Sequence, residues 1–386
     1  MENPGSMSGA AALISRLQQY AQERVAGARA TILTNLEKAT GLPVVMDVAL
    51  PGAAYFSVAA GGLCDVLNLL GDDIVKVDRF VGASGGACSL FLILANDKRG
   101  ATQQDAAPAG RCPSADLLLQ SYLEYAESEG SSGLQRSLSA FWQAVGGVSS
   151  FWEEKYRALL SEEPAWSAVR ARGFCAVAAR PLRQQMFGAA RDSGAVYHAV
   201  GDNYIFHNFV EKEEAVQAFV ATGEATAKGF TRGIRVLAGE PRLSVKQPGS
   251  QEMEQGLPAS FCDGGRPANF DALHSGRSPN SLLYYNTWFE SASEAAFCTP
   301  ASIEHLYKRG VDRTIDCLLS SSLSSPAPGA PNVARTGGPA KDSMVLALAG
   351  ADPVAEMAKI GAKTSLYGGS FVNLAAKEIR EQQSLA

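Results

Sequence analysis

The sequence predicts an α/β protein with helices packed on a mainly parallel central sheet, and three observations predict it. Short apolar runs at residues 55–60, 80–81 and 173–179 alternate with stretches of helical periodicity. Glycine-rich turns, Gly61-Gly62 and Gly82-Ala83-Ser84-Gly85-Gly86, stand where such runs pass into helices. A later apolar run, 259–262, ends on Asp263-Gly264-Gly265. In a sheet of this kind functional groups gather beyond the carboxyl ends of the strands, so all three segments would arrive at one edge.

Composition sets the limits. The chain of 386 residues is 46% apolar and 19% charged, enough to bury a substantial core. A net charge of -5, with no basic cluster to offset it, gives no support for a nucleic-acid partner. The seven cysteines are scattered singly, without CxxC pairs, which reads as buried thiols of a reducing compartment and not a disulfide framework or zinc site. There is no compact apolar block after N-terminal basic residues and no apolar run long enough to cross a bilayer. The expected location is intracellular, cytoplasmic or peripheral on a membrane or lipid droplet, with organelle targeting left open.

Taken in order, residues 10–39 carry Leu13, Ile14, Leu17, Ala21, Val25, Ala28, Ile32 and Leu36 at helical spacing. This predicts an amphipathic helix or helix pair, 1–44, packed on the main domain or contacting a membrane surface or partner copy. Residues 55–60 read as a strand, followed by Gly61-Gly62 and a helix through Leu70. Residues 74–81 read as a strand interrupted by Asp78-Arg79, and 87–95 as a buried helix. Helices follow at 115–127, 134–145 and 151–170, with an aromatic cluster of Phe141, Trp142, Phe151, Trp152, Tyr156 and Trp166 that is either core or a lipid-facing rim. Strands are expected at 173–179, 204–209 and 234–237, a helix with an acidic first turn at 211–221, and further elements at 280–285 and 301–319. Residues 321–344 read as a Ser/Pro/Gly-rich linker and 345–386 as a helical tail.

The chemistry centres on Ser84. Gly82-x-Ser84-x-Gly86 between a strand and a helix fits a nucleophile elbow, where small neighbours let a serine hydroxyl project. A serine hydroxyl needs a base to take its proton. Of the four histidines, His198, His207, His274 and His305, only His274 or His305 follows Asp263 in triad order. The alternative is a carboxylate acting directly: Asp263 at the end of an apolar run, in a dry pocket that raises its pKa. Gly61-Gly62, placed between strand and helix, offers backbone amides suited to an oxyanion.

These three segments, in this order, resemble the patatin-like phospholipase family, to which adipose triglyceride lipase belongs. The resemblance covers roughly residues 45–319, including a segment 306–313 that looks like the helix closing such domains. It implies a three-layer α/β/α fold and a Ser84/Asp263 dyad that hydrolyses acyl esters of lipids through an acyl-enzyme, without a metal or other cofactor. It also implies an oxyanion hole at Gly61 and Gly62, with Gly82 and Gly86 flanking the elbow. The chain departs from the family where Asp65 stands near a usual glycine and where Gly85 replaces a commoner alanine. Phospholipase or acylglycerol lipase activity at a membrane or lipid-droplet surface is the expectation, with transacylation a variant. The rivals are a catalytically silent patatin-like protein that binds lipid or protein, and a Ser-Asp-His esterase.

Overall fold

The computed structural model describes residues 4–50, 54–96, 111–128, 148–171, 173–179, 203–207, 209, 211–223, 244–246, 262–263, 280–287, 298–320, 323, 333–337 and 343–348. Strand β1, Val44–Leu50, is central: it pairs in parallel with β2, Val75–Ala83, on one side and with β7, Ser281–Asn286, on the other. β2 pairs in parallel with β3, Phe174–Ala179. The flanks alternate in direction. β4, Asn203–His207, and β5, Ser244–Lys246, extend the sheet antiparallel beyond β3, while β9, Ser343–Ala347, and β8, Val333–Gly337, extend it beyond β7. A two-residue strand, β6, Cys262–Asp263, pairs antiparallel with the end of β3. The protein is therefore mixed α/β, parallel in its four central strands and antiparallel at its edges.

β1 reads as an almost unbroken apolar run because nearly all of it is buried, as expected of a parallel strand covered on both faces. Its exception is Asp47, buried but ion-paired with Arg79 on β2 at 2.7 Å and accepting from Asn280 Nδ2 at 3.0 Å. The register slips between Met46 and Asp47, so Asp78 is bulged out and Arg79 faces Asp47. The charged interruption of β2 is thus a bulge within one continuous strand.

Three sequence expectations change. Residues 55–60 are not a strand: Ala54–Val58 is a 3₁₀ turn that runs into helix α2, Ala59–Leu70. A short apolar run bears no periodicity that separates a strand from a buried helix, and Ala59-Ala60 favours the helix. The 151–170 helix is two, α5, Val148–Ser161, and α6, Glu163–Ala171, because Pro164 has no N–H to continue the ladder. Finally, 321–344 and 345–386 are not simply a linker and a helical tail, since β8 and β9 lie in them and belong to the main sheet. Met344, Val345, Leu346 and Ala347 are buried there, so apolar β-prone residues win over the loop-like composition around them. The helix expected at 134–145 and the strand at 234–237 lie outside the described residues, as do 349–386.

The N-terminal helix α1, Pro4–Thr40, belongs to the same core. Leu13, Leu17, Ala21, Val25, Ala28, Ile32 and Leu36 are all buried, and α1 packs on α2 and on α8, Pro300–Leu318. Polar contacts fix the register: Arg24 Nε and Tyr20 OH both reach the Asp312 carboxylate, and Asn35 Nδ2 donates to Leu318 O. From Leu13 to Leu36 the helix is thus packed against the main domain as part of one core.

The remaining helices are α3, Gly85–Ala95, α4, Asp116–Ser128, and α7, Lys212–Gly223. Phe91 of α3, Tyr156 of α5 and Phe219 of α7 meet with ring centroids 4.4–5.5 Å apart, and Trp152 and Trp166 are buried beside this group. Trp152, Tyr156 and Trp166 are therefore core, with Phe151 half-buried against Trp152; Phe141 and Trp142 lie outside the described residues. No helix among the described residues is long and apolar enough to cross a membrane.

Candidate active site

At the carboxyl end of β2 the chain turns sharply into α3, and Ser84 is the turning residue. It has φ 51° and ψ -134°, and among the described residues no other non-glycine has positive φ. L-residues avoid this region because Cβ collides with the backbone, so the surroundings must hold it there. Gly82 is part of that holding. A Cβ on Gly82 would stand 2.5 Å from Ala87 Cα and 2.6 Å from Ala87 N, so only glycine lets β2 pass this close to the start of α3. Gly86 is buried in the first turn of α3.

Ser84 occupies the N-cap of α3, where a serine ordinarily accepts a bond from an amide of its own helix. It makes no such bond. Its carbonyl accepts the first helical bond, from Cys88 N at 3.1 Å, so the amides of Gly85, Gly86 and Ala87 have no carbonyl within the helix to bond to. A half-buried hydroxyl at the positive end of a buried helix, beside these donors, is a favourable setting for a developing negative charge.

Asp263 reaches the same edge by a distinct route. β4 lines one edge of β3 from Cys175 to Ala179, and β2 lines the other edge only as far as the Ala83–Val177 pair. Beyond that pair β2 has turned away at Ser84, and β6 takes the vacated place, with Asp263 opposite Ala178 and Cys262 opposite Ala179. Had β2 continued, residue 84 would have faced Ala178. The backbone of Asp263 therefore stands where the strand bearing Ser84 would have gone, and the two segments meet end to end at the carboxyl edge of the parallel strands.

The glycine pair lies elsewhere. Gly61 and Gly62 are inside α2, and both are buried. A Cβ on Gly62 would lie 2.2 Å from Tyr307 O and 2.6 Å from Val311 N, and one on Gly310 would lie 2.0 Å from Ala59 O. These glycines let the backbones of α2 and α8 touch; they do not form an open turn after a strand. The expectation of an oxyanion loop there rested on taking 55–60 as the first strand. The first strand is β1, whose last residue, Leu50, faces Gly82, so the segment that follows a strand beside the elbow is 51–53, which lies outside the described residues.

Asp65, on the next turn of α2, accepts from Ala115 N at 2.9 Å and from Tyr307 OH at 2.5 Å. Burial pushes its carboxyl up from 3.8 to about 6, against the lowering effect of those two bonds. It fastens α2 to α4 and α8.

Among the histidines, His305 is exposed on α8. His207 lies on β4 opposite Cys175, which is itself opposite Val81, three residues short of Ser84 along the strand direction. His198 and His274 lie outside the described residues.

Two groups near the elbow carry no motif. Ser89 Oγ on α3 donates to Ser57 Oγ at 2.7 Å, and Ser57 Oγ lies 3.1 Å from Tyr122 OH, tying the 3₁₀ turn to α3 and α4 through buried hydroxyls. Thr222 Oγ1, at the end of α7, accepts from Ser84 N at 2.9 Å. Its only sequence signal is a hydroxyl on an otherwise apolar helix end.

No protein-family model matches the chain, no curated protein matches its sequence, and no solved structure matches its fold.

Proposed function

We propose that the protein is a serine acyl hydrolase with Ser84 as nucleophile and Asp263 as general base. The observation that carries this reading is the strained Ser84 turn at the end of β2, with the strand of Asp263 filling the place that β2 leaves. Strain kept in a residue that does not cap its helix needs a reason, and presenting the hydroxyl to a substrate is one. Ser84 Oγ attacks the ester carbonyl as its proton passes to the Asp263 carboxylate. Donors at the start of α3 stabilise the oxyanion. Collapse expels the alcohol, which takes the proton back from Asp263. Water then attacks the acyl-enzyme as its proton passes to Asp263, and collapse expels Ser84 Oγ, which takes that proton back as the acid leaves. A second lipid alcohol in place of water would make the reaction a transacylation.

The substrate class, an acyl ester of a lipid, rests on the sequence resemblance, as does the three-layer arrangement of the fold. The helix α3 is part of the core: Gly86 to Leu94 are all buried. A second reading, a silent binding protein, is favoured by the loss of Gly61 and Gly62 as oxyanion donors. Labelling by a fluorophosphonate probe separates the two. Wild type labels and hydrolyses p-nitrophenyl or glycerolipid esters while Ser84→Ala does neither; absence of labelling in folded wild type would leave only the binding reading.

A further inference from the structure

The amide of Ser84 belongs to neither of the elements it joins. β2 makes its last pairing with β3 at Ala83, and an N-cap amide has no partner in the helix it begins. Its proton goes instead to the hydroxyl of Thr222, which is fully buried one residue before the end of α7. α7 packs on α3, on β3 and on β6, the strand that carries Asp263. At this end of α7 the next residue, Gly223, also faces α3, with Cys88 Sγ 3.9 Å from the place of a Cβ.

We propose that Thr222 is a positioning residue for the reaction, its hydroxyl holding the Ser84 amide so that the serine stays at positive φ with its Oγ toward the base. The proposal rests on Ser84 acting as nucleophile. A hydrogen bond to the Ser84 amide fixes the plane of the Ala83–Ser84 peptide, and that plane together with φ sets the direction of the Cα–Cβ bond. Released from it, a serine relaxes toward negative φ, and its hydroxyl moves by an ångström or more. Displacements of about 1 Å at a reacting atom cost on the order of 10²-fold in rate. Because α7 touches both the nucleophile's backbone and the strand of Asp263, one helix sets the two groups against each other.

The test compares Thr222→Val, which keeps the shape and loses the acceptor, with Thr222→Ser, which keeps the acceptor. For folded protein of each kind, the rate constant of fluorophosphonate labelling and the kcat and KM for an ester substrate are measured. Thr222→Val should lose about 10- to 100-fold in labelling rate and kcat with KM within about threefold, while Thr222→Ser stays near wild type. Equal labelling and equal kcat in wild type and folded Thr222→Val would overturn the proposal, whatever the change in stability. If Thr222→Val does not fold, Thr222→Ala is read in the same way.

Hydrogen exchange of the peptide containing Ser84 separates this proposal from the reaction itself. Where wild type does not label at all, the hydrolase reading falls. Faster exchange at the Ser84 amide in Thr222→Val than in Thr222→Ser would still support the hold, and equal exchange in the two would remove it.

Discussion

The elbow at Gly82–Gly86 and the pair Gly61-Gly62 look alike in sequence, as glycines before an apolar helix, and their positions in the fold differ. Gly82 lets a strand pass against the first turn of the helix that follows it, and the cost of that closeness falls on Ser84, at φ 51°. Gly62 and Gly310 let two regular helices touch, and no residue nearby is strained for it among the described residues. A glycine that serves packing leaves its neighbours relaxed. One that serves a site passes strain to the residue beside it, and the strained residue is the better marker of chemistry.

The comparison breaks most sharply on activity. Ser84→Ala should lose fluorophosphonate labelling and turnover altogether, and Asp263→Asn should slow turnover by about 10²–10⁴-fold, the range expected for removing a general base. His274→Ala should leave the rate within a few-fold of wild type. A large loss in the histidine variant with little in Asp263→Asn would replace the dyad by a Ser-Asp-His arrangement.

Gly62→Ala tests the other junction. Its Cβ would meet backbone atoms of α8 at 2.2 and 2.6 Å, which cannot yield as a flexible side chain can. Unfolding should become easier by about 3 kcal/mol, the upper end of the usual range for forced overpacking. The fraction that folds should label at a rate close to wild type. A stable Gly62→Ala protein with much slower labelling would return the glycine pair to the oxyanion site.

The elbow is legible in sequence because its signal is local: small residues at fixed spacing around Ser84, between an apolar strand and an almost wholly apolar helix. So is α1, whose buried positions follow helical periodicity from Leu13 to Leu36. The misplacement of the glycine pair comes from residues 55–60, where five apolar residues around Ser57 carry no period. β1 gives no clean strand signal because Asp47 interrupts it, and the partner that makes Asp47 tolerable, Arg79, is 32 residues away. Strands β8 and β9 were hidden in a Ser/Pro/Gly-rich setting, since strand formation there depends on β7 offering an edge. Thr222 could not be found, because its contact with Ser84 spans 138 residues and has no motif.

A third effect belongs to the packing junction alone. Asp65 sits beside Gly62 on α2, with its folded-state pKa raised by burial to about 6 from 3.8. The folded protein therefore keeps this proton over a range in which the unfolded chain has lost it. The stability it contributes is fully present below about pH 4 and is lost as pH rises through about 6. A rise of that size corresponds to about 3 kcal/mol as an upper figure. The stability difference between Asp65→Asn and wild type should change by roughly 2–3 kcal/mol between pH 4 and pH 7, moving in favour of the variant as pH rises. Denaturant unfolding at several pH values measures it. A pH-independent difference would mean that the Tyr307 and Ala115 bonds hold Asp65 ionised throughout.

The smallest effect isolates the strain itself. Ser84→Ala and Ser84→Gly both remove the hydroxyl, so any contact of Oγ is lost equally in the two. They differ in the Cβ, which an alanine must still carry at φ 51° and ψ -134° and a glycine does not. Holding an L-residue there costs on the order of 1–3 kcal/mol, and glycine returns about 0.5–1 kcal/mol of that through the greater freedom of its unfolded chain. Ser84→Gly should therefore be more resistant to denaturant than Ser84→Ala by about 1 kcal/mol, with neither protein active. Equal stability would mean that the turn relaxes once the hydroxyl is gone. In that case the positive φ is held by contacts of Ser84 Oγ and not by Gly82 and Thr222, and the difference between the two glycine junctions would lie in the serine alone.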